Sequence, residues 1–160
     1  MTDKALSEQK WETTTFKVEK TGHIGILTYS APEKLNAGTM SIEHSPYWPN
    51  DREEKWWQAF AQVKNDPEIN VIIITGEGRA FSAGADLKQW GAMSALAEEK
   101  GLSYFDLFGG SGTVIDEGTT QSHEWITRLK KPTIAMINGL AIGEGADMAL
   151  MCDMRVMSNE

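Results

Sequence analysis

Two glycine-bearing turns hold the residues best suited to chemistry. One is Gly76-Glu77-Gly78-Arg79-Ala80-Phe81-Ser82-Ala83-Gly84-Ala85-Asp86-Leu87. The other is Asn138-Gly139-Leu140-Ala141-Ile142-Gly143-Glu144-Gly145-Ala146-Asp147. Glycine lets the chain bend sharply and bring its N–H groups close to a ligand. Each turn runs into a helix start, the second at Ala146 to Cys152, which is built of helix formers. The first N–H groups of a helix have no partner inside it, and its dipole favours negative charge there. Two such turns meeting on one small anion supply what an oxyanion hole needs.

Short buried strands must position these turns. Asn70 to Thr75 and Thr133 to Ile137 are compact apolar runs, the second entered through Pro132. Strands alternating with helices give an α/β class. No dinucleotide fingerprint is present, because Gly143-Glu144-Gly145 lacks the third glycine, and there is no Walker-type Gly-Lys-Ser/Thr.

Phe81-Ser82-Ala83-Gly84-Ala85-Asp86-Leu87, then Lys131-Pro132, then Asn138-Gly139 through Asp153, resembles the crotonase family, the enoyl-CoA hydratase/isomerase group. The resemblance extends upstream to Pro32-Glu33-Lys34-Leu35-Asn36-Ala37 and so covers most of the chain. It implies a spiral of β-β-α turns, commonly assembled as trimers or dimers of trimers. It also implies further turns and a helical part beyond residue 160, so the chain reads as a truncated core domain over residues 11–160 behind a disordered 1–10.

The same resemblance implies an acyl-CoA thioester as substrate, with coenzyme A carried in on it and no separate cofactor. The two oxyanion donors it implies are the N–H groups of Ala83 and Glu144, with Asp147 as an acid/base carboxylate. Lys34, Leu35, Ala37, Ala83, Gly84, Ala85, Asp86, Leu87 and Gly143 are the expected substrate contacts. Three positions keep two readings each. Lys34 either approaches a coenzyme A phosphate or is a solvated loop lysine. Glu144, where the family more often has glycine, either points away or enters the pocket and titrates. Asp147, where many hydratases have glutamate, either moves a proton or merely caps its helix. The family's second carboxylate would fall after residue 160. Hydration or double-bond migration is the leading expectation. Other thioester chemistry such as hydrolysis, and a weakly catalytic acyl-CoA-binding fragment, are the alternatives.

Composition narrows the partners. The net charge of -8 argues against nucleic acid, which calls for basic surface. A single cysteine, Cys152, excludes an internal disulfide framework and fits a reducing, cytoplasmic compartment. No apolar run approaches the roughly 20 residues of a membrane span. His23, His44, His123 and Cys152 are too scattered for a metal site.

Along the rest of the chain, Thr13 to Glu19 and Gly22 to Ser30 read as strands, with Lys20-Thr21-Gly22 between them. Ser45-Pro46-Tyr47-Trp48-Pro49 excludes a regular helix, so a helix is expected to begin at Asn50 or Asp51. Trp56, Phe60 and Val63 form its apolar face, which makes Trp56 and Trp57 core or interface residues rather than a ligand platform. Tyr104, Phe105 and Phe108, followed by Gly109 to Gly112, read either as a cover for the acyl pocket or as a surface loop or trimer contact. A helix over Gln121 to Leu129 turns Trp125, Ile126 and Leu129 to one side, with His123 on the other.

Overall fold

A computed structural model of the chain describes residues 16–38, 53–102, 126 and 129–159. Strands β1 (Phe16–Thr21) and β2 (Ile24–Tyr29) form an antiparallel hairpin. Lys20 and Thr21, expected in the turn, belong to β1. Gly22 at φ 57 begins a two-residue loop tight enough to keep both in register. A short 3-10 turn (Pro32–Lys34) and helix α1 (Glu53–Asn65) follow. Then come β3 (Val71–Gly76), β4 (Ala80–Ser82) and helix α2 (Leu87–Lys100). The last group is β5 (Thr133–Ile137), β6 (Leu140–Ala141), helix α3 (Glu144–Met151) and β7 (Met154–Met157).

The main sheet has the order β1-β2-β3-β5-β7, and every pairing after the first is parallel. A second, two-stranded parallel sheet pairs β4 with β6. The chain thus repeats one step twice. A main-sheet strand (β3, then β5) passes to a small-sheet strand (β4, then β6), then to a helix (α2, then α3), before the next main-sheet strand. Each repeat sets its glycine turn beside the other's, as the two sequence stretches lead one to expect.

The core lies on one face of the main sheet. Leu27, Tyr29, Ile72, Ile74, Ala135 and Ile137 pack there with Phe60 and Val63 of α1, Phe81 of β4, and Met148 and Ala149 of α3. Ile126 is also buried in it and Leu129 packs against it, so two of the three residues assigned to that helix face do turn inward. Lys131 closes α1 by donating from Nζ to the carbonyls of Val63 (2.7 Å) and Asp66 (2.6 Å). Arg155 does the same for α3, donating to the carbonyls of Ala149, Leu150 and Cys152. Both cations sit at the negative end of a helix.

Helix α3 starts two residues earlier than its composition suggests. Asp147 N–H bonds to the Gly143 carbonyl at 2.9 Å, so Gly143 is the cap and Glu144 the first helical residue. The expected starts at Asn50 or Asp51, the insert around Pro46, the Trp56 and Trp57 side chains, the aromatic cover from Tyr104 to Phe108, and His123 lie outside the described residues. So does the 1–10 segment. The first part of the connection after the upstream turn is helix α2, whose Lys88 N–H is capped by the Asp86 carboxylate at 3.0 Å.

Candidate active site

The loop after β2 is the foundation of the site. Leu35 and Asn36 both adopt left-handed backbone, at φ 55 and φ 56. This conformation costs roughly 1–2 kcal/mol at a non-glycine residue, so other interactions must hold it. Asn36 supplies them. It is fully buried, accepts from Ala31 N–H at 3.0 Å, and donates to the carbonyls of Glu77 (2.9 Å) and Ala80 (2.8 Å). Its own carbonyl accepts from Ser82 Oγ at 2.9 Å. Asn36 therefore locks the Ala31–Gly38 loop onto the β3–β4 turn. Asn138 does the equivalent downstream, accepting from Gly76 N–H (3.2 Å) and donating to the Gly78 carbonyl (2.8 Å). Neither asparagine was singled out from the sequence. The available signal was an asparagine beside a glycine or in a left-handed turn, a position that this side chain tolerates.

With that loop in place, the upstream turn is threaded against it. Ala83 N–H donates to the Leu35 carbonyl at 2.9 Å, and Gly38 N–H donates to the Gly84 carbonyl at 2.8 Å. Gly84 N–H is taken by Ser82 Oγ at 3.1 Å. Ala83 as an oxyanion donor is therefore corrected. Its N–H is turned inward and satisfies Leu35, because the left-handed Leu35–Asn36 pair aims that carbonyl at it. Next in the chain, the amide of half-buried Ala85 has no hydrogen bond among the described residues.

The second turn comes against the first backbone to backbone. A Cβ on Gly84, which has φ 78, would stand 2.4 Å from the Ile142 carbonyl oxygen and 3.1 Å from the Glu144 nitrogen. A Cβ on Gly145 would stand 2.4 Å from the Ser82 carbonyl oxygen. Only glycine fits at either place, and the contact is sealed by Ile142 N–H donating to that Ser82 carbonyl at 3.0 Å. Ala85 is thus one residue from the point where the Glu144 nitrogen meets the upstream turn. Gly143, at φ 52, has no atom within 4 Å of its would-be Cβ and borders open space.

The charged candidates are distributed as follows. Asp147 is exposed, one helical turn from Glu144, which is half-buried. Lys34 faces the Asp86 carboxylate at 3.8 Å, a loose pair with Asp86 the more enclosed partner. Leu35 and Ala37 are half-buried in the loop, while Leu87 is 81% exposed at the start of α2. Cys152 is buried, and burial pushes its thiol up to about 11, which makes it an inert core group. Among the described residues no group of three or more His, Cys, Asp or Glu could hold a metal ion, and no helix is long and apolar enough to cross a membrane.

Comparison with known proteins gives the family and the fold. Residues 50–160 match the family model described as enoyl-CoA hydratase/isomerase. The chain is 29% identical over 144 residues to a short-chain-enoyl-CoA hydratase of Clostridium acetobutylicum, covering 89% of this chain and 46% of that one. Among solved structures, an enoyl-CoA hydratase from Polaromonas sp. JS666 superposes with TM-score 0.66 at 30% identity, over 90% of this chain and 48% of that one. An enoyl-CoA hydratase from Bacillus anthracis gives TM-score 0.63 at 25% identity, over 89% of this chain and 47% of its own. The chain spans about half the length of the relatives it matches. Two glycine turns locked backbone to backbone, on a sheet that grows by parallel steps, are thus found in a chain that belongs to the enoyl-CoA hydratase/isomerase family and has the crotonase fold.

Proposed function

We propose that the chain acts on an acyl-CoA thioester, binding the carbonyl oxygen between the N–H groups of Ala85 and Glu144 and stabilising an enolate. The observation that carries this reading is the approach of Gly84, the residue before Ala85, to the Glu144 nitrogen at the start of α3. In hydration of an enoyl thioester, water adds to the β-carbon and the electron pair of the double bond moves onto the carbonyl oxygen. The oxyanion then collapses as the α-carbon takes a proton. Preorganised N–H donors lower the barrier to the charged intermediate, and losing one such donor costs about 10²–10³ in rate. Asp147 is the carboxylate that would move the proton. It lies exposed in the first turn of α3, which Glu144 begins.

Lys34 would reach a phosphate of coenzyme A by exchanging its long contact with Asp86. Gly143 leaves space for the thioester, and Leu35, Ala37, Asp86 and Leu87 would border the bound group. No separate cofactor is called on. The family points to a cytoplasmic homo-oligomer, trimeric or a dimer of trimers.

Crotonyl-CoA tests the reading, because its conjugated absorbance is lost on hydration. Turnover is expected, and Asp147→Asn should lower kcat by about 10²–10⁴, the usual contribution of a general acid or base. Free thiol release in place of saturation would favour hydrolysis, and binding without turnover would favour an acyl-CoA-binding role.

A further inference from the structure

The carbonyl of Ala80 takes two asparagines at once. Asn36 Nδ2 donates to it at 2.8 Å and Asn138 Nδ2 at 3.3 Å. A carbonyl oxygen has two lone pairs and accepts both. Each Nδ2 carries two hydrogens, and the second of each goes to the same turn. Asn36 gives its second to the Glu77 carbonyl, and Asn138 to the Gly78 carbonyl. Arg79, between them, faces the residue after Asn138: a Cβ on Gly139 would stand 2.2 Å from its carbonyl oxygen. The β3–β4 turn is thus gripped from both sides, by residues 102 positions apart in the chain. From Ala80 the grip passes to both oxyanion turns. The Asn36 loop holds the upstream turn at Ser82 Oγ, Ala83 N–H and the Gly84 carbonyl. On the other side, β6 pairs Leu140 with Ala80 and Ala141 with Ser82. Ile142 N–H then bonds to the Ser82 carbonyl, two residues before Glu144. Both turns therefore take their register from the first residue of β4.

We propose that Asn36 and Asn138 are positioning residues that work as one unit through the Ala80 carbonyl, and that this unit sets the spacing of the Ala85 and Glu144 amides. This deepens the oxyanion reading above and rests on it. Neither asparagine touches the thioester; both act through backbone. Donors stabilise a forming oxyanion only if they are already in place, since any rearrangement during the reaction adds to the barrier. A turn anchored from one side only can shift, and β4 carries that shift to both donors. Loss of either asparagine therefore breaks the unit, and loss of the second adds little.

The probe is 4-aminocinnamoyl-CoA, an enoyl thioester whose amino group pushes electrons toward the carbonyl. Its absorption moves to longer wavelength when hydrogen bonds polarise that oxygen. Read at saturating protein, the shift belongs to bound ligand alone, so a smaller folded fraction does not imitate its loss. Asn138 is partly exposed, and Asn138→Ala is the variant best able to fold. It should still bind the probe and lose at least half of the native shift. With crotonyl-CoA its kcat should fall about 10²-fold at little change in KM, the cost of moving a catalytic group by about 1 Å. A full native shift in Asn138→Ala overturns the proposal, whatever the loss in unfolding stability. Asn36→Ala and the double variant test the unit: the double should keep as much of the shift as the weaker single. Losses that add in the double overturn the joint action of the pair. If Asn36→Ala does not fold, Asn36→Asp, which keeps the acceptor for Ala31 N–H, takes its place in the same comparison. Absence of any shift in the native chain sinks the oxyanion reading itself, a result distinct from a native shift that the variants retain.

Discussion

Gly84 shows how much one residue decides. It has φ 78, a region that side chains enter at a cost, and its missing Cβ is what lets the Ile142 carbonyl and the Glu144 nitrogen come so close. An alanine there would have to push two backbones apart, since a contact at 2.4 Å to a carbonyl oxygen cannot be absorbed by a rotamer change. Gly84→Ala should therefore separate the two amides and cost about 10²–10³ in kcat, the worth of an oxyanion donor. The steady-state rate with crotonyl-CoA measures this, and a loss below tenfold would mean that the donors are not set by this contact. Ala83 makes the complementary point. In sequence it is indistinguishable from Ala85, an alanine flanking the same glycine. What separates them is the Leu35 carbonyl, 48 residues upstream, which takes the Ala83 N–H.

At the scale of elements, several helix and strand ends are tied down by a residue from elsewhere in the chain. Asp153 is the clearest case. Its carboxylate, just before β7, accepts from both the N–H and the hydroxyl of Thr133 at the start of β5, each at 2.8 Å. Those bonds hold the Asp153 carboxyl below its ordinary range, the backbone bond most of all. The sign follows directly. A carboxylate with a lowered folded pKa contributes its stability above the unfolded value, about 3.9, and loses it as pH falls through the folded one. Stability of the native chain should thus decline below about pH 4, and Asp153→Asn should flatten part of that slope. Urea titrations across that window measure it; an unchanged slope would show that the strand-to-strand tie does not matter in solution.

Among the described residues of the whole molecule, one side of the main sheet is apolar and partly open. The face of the main sheet away from the core carries Ile24, Ile26, Val71, Ile73, Ile134 and Met136, all partly exposed. Met154 and Val156 of β7 continue that face, in register with Ile134 and Met136, at 51% and 60% exposure. Among the described residues β7 pairs on one side, with β5. An apolar edge strand is a template for association. Val156→Lys should reduce concentration-dependent self-association in sedimentation velocity while changing unfolding stability by no more than about 0.5 kcal/mol, as for an exposed site. Unchanged sedimentation would show that this edge is not sticky in the chain as it stands.

The local elements were legible because they depend on near neighbours. The apolar runs at Asn70 to Thr75 and Thr133 to Ile137 announce the central strands, and the turn glycines announce the two turns. Order and spacing of the two turns were enough for the family. What the sequence could not disclose were relations between distant backbones. The two asparagine clamps and the bond from the Ala83 N–H to the Leu35 carbonyl depend on which polar groups meet across the fold. A hydrogen bond between residues far apart in the chain leaves no periodicity to read, and only the tertiary structure decides which N–H is spent and which is left to bind.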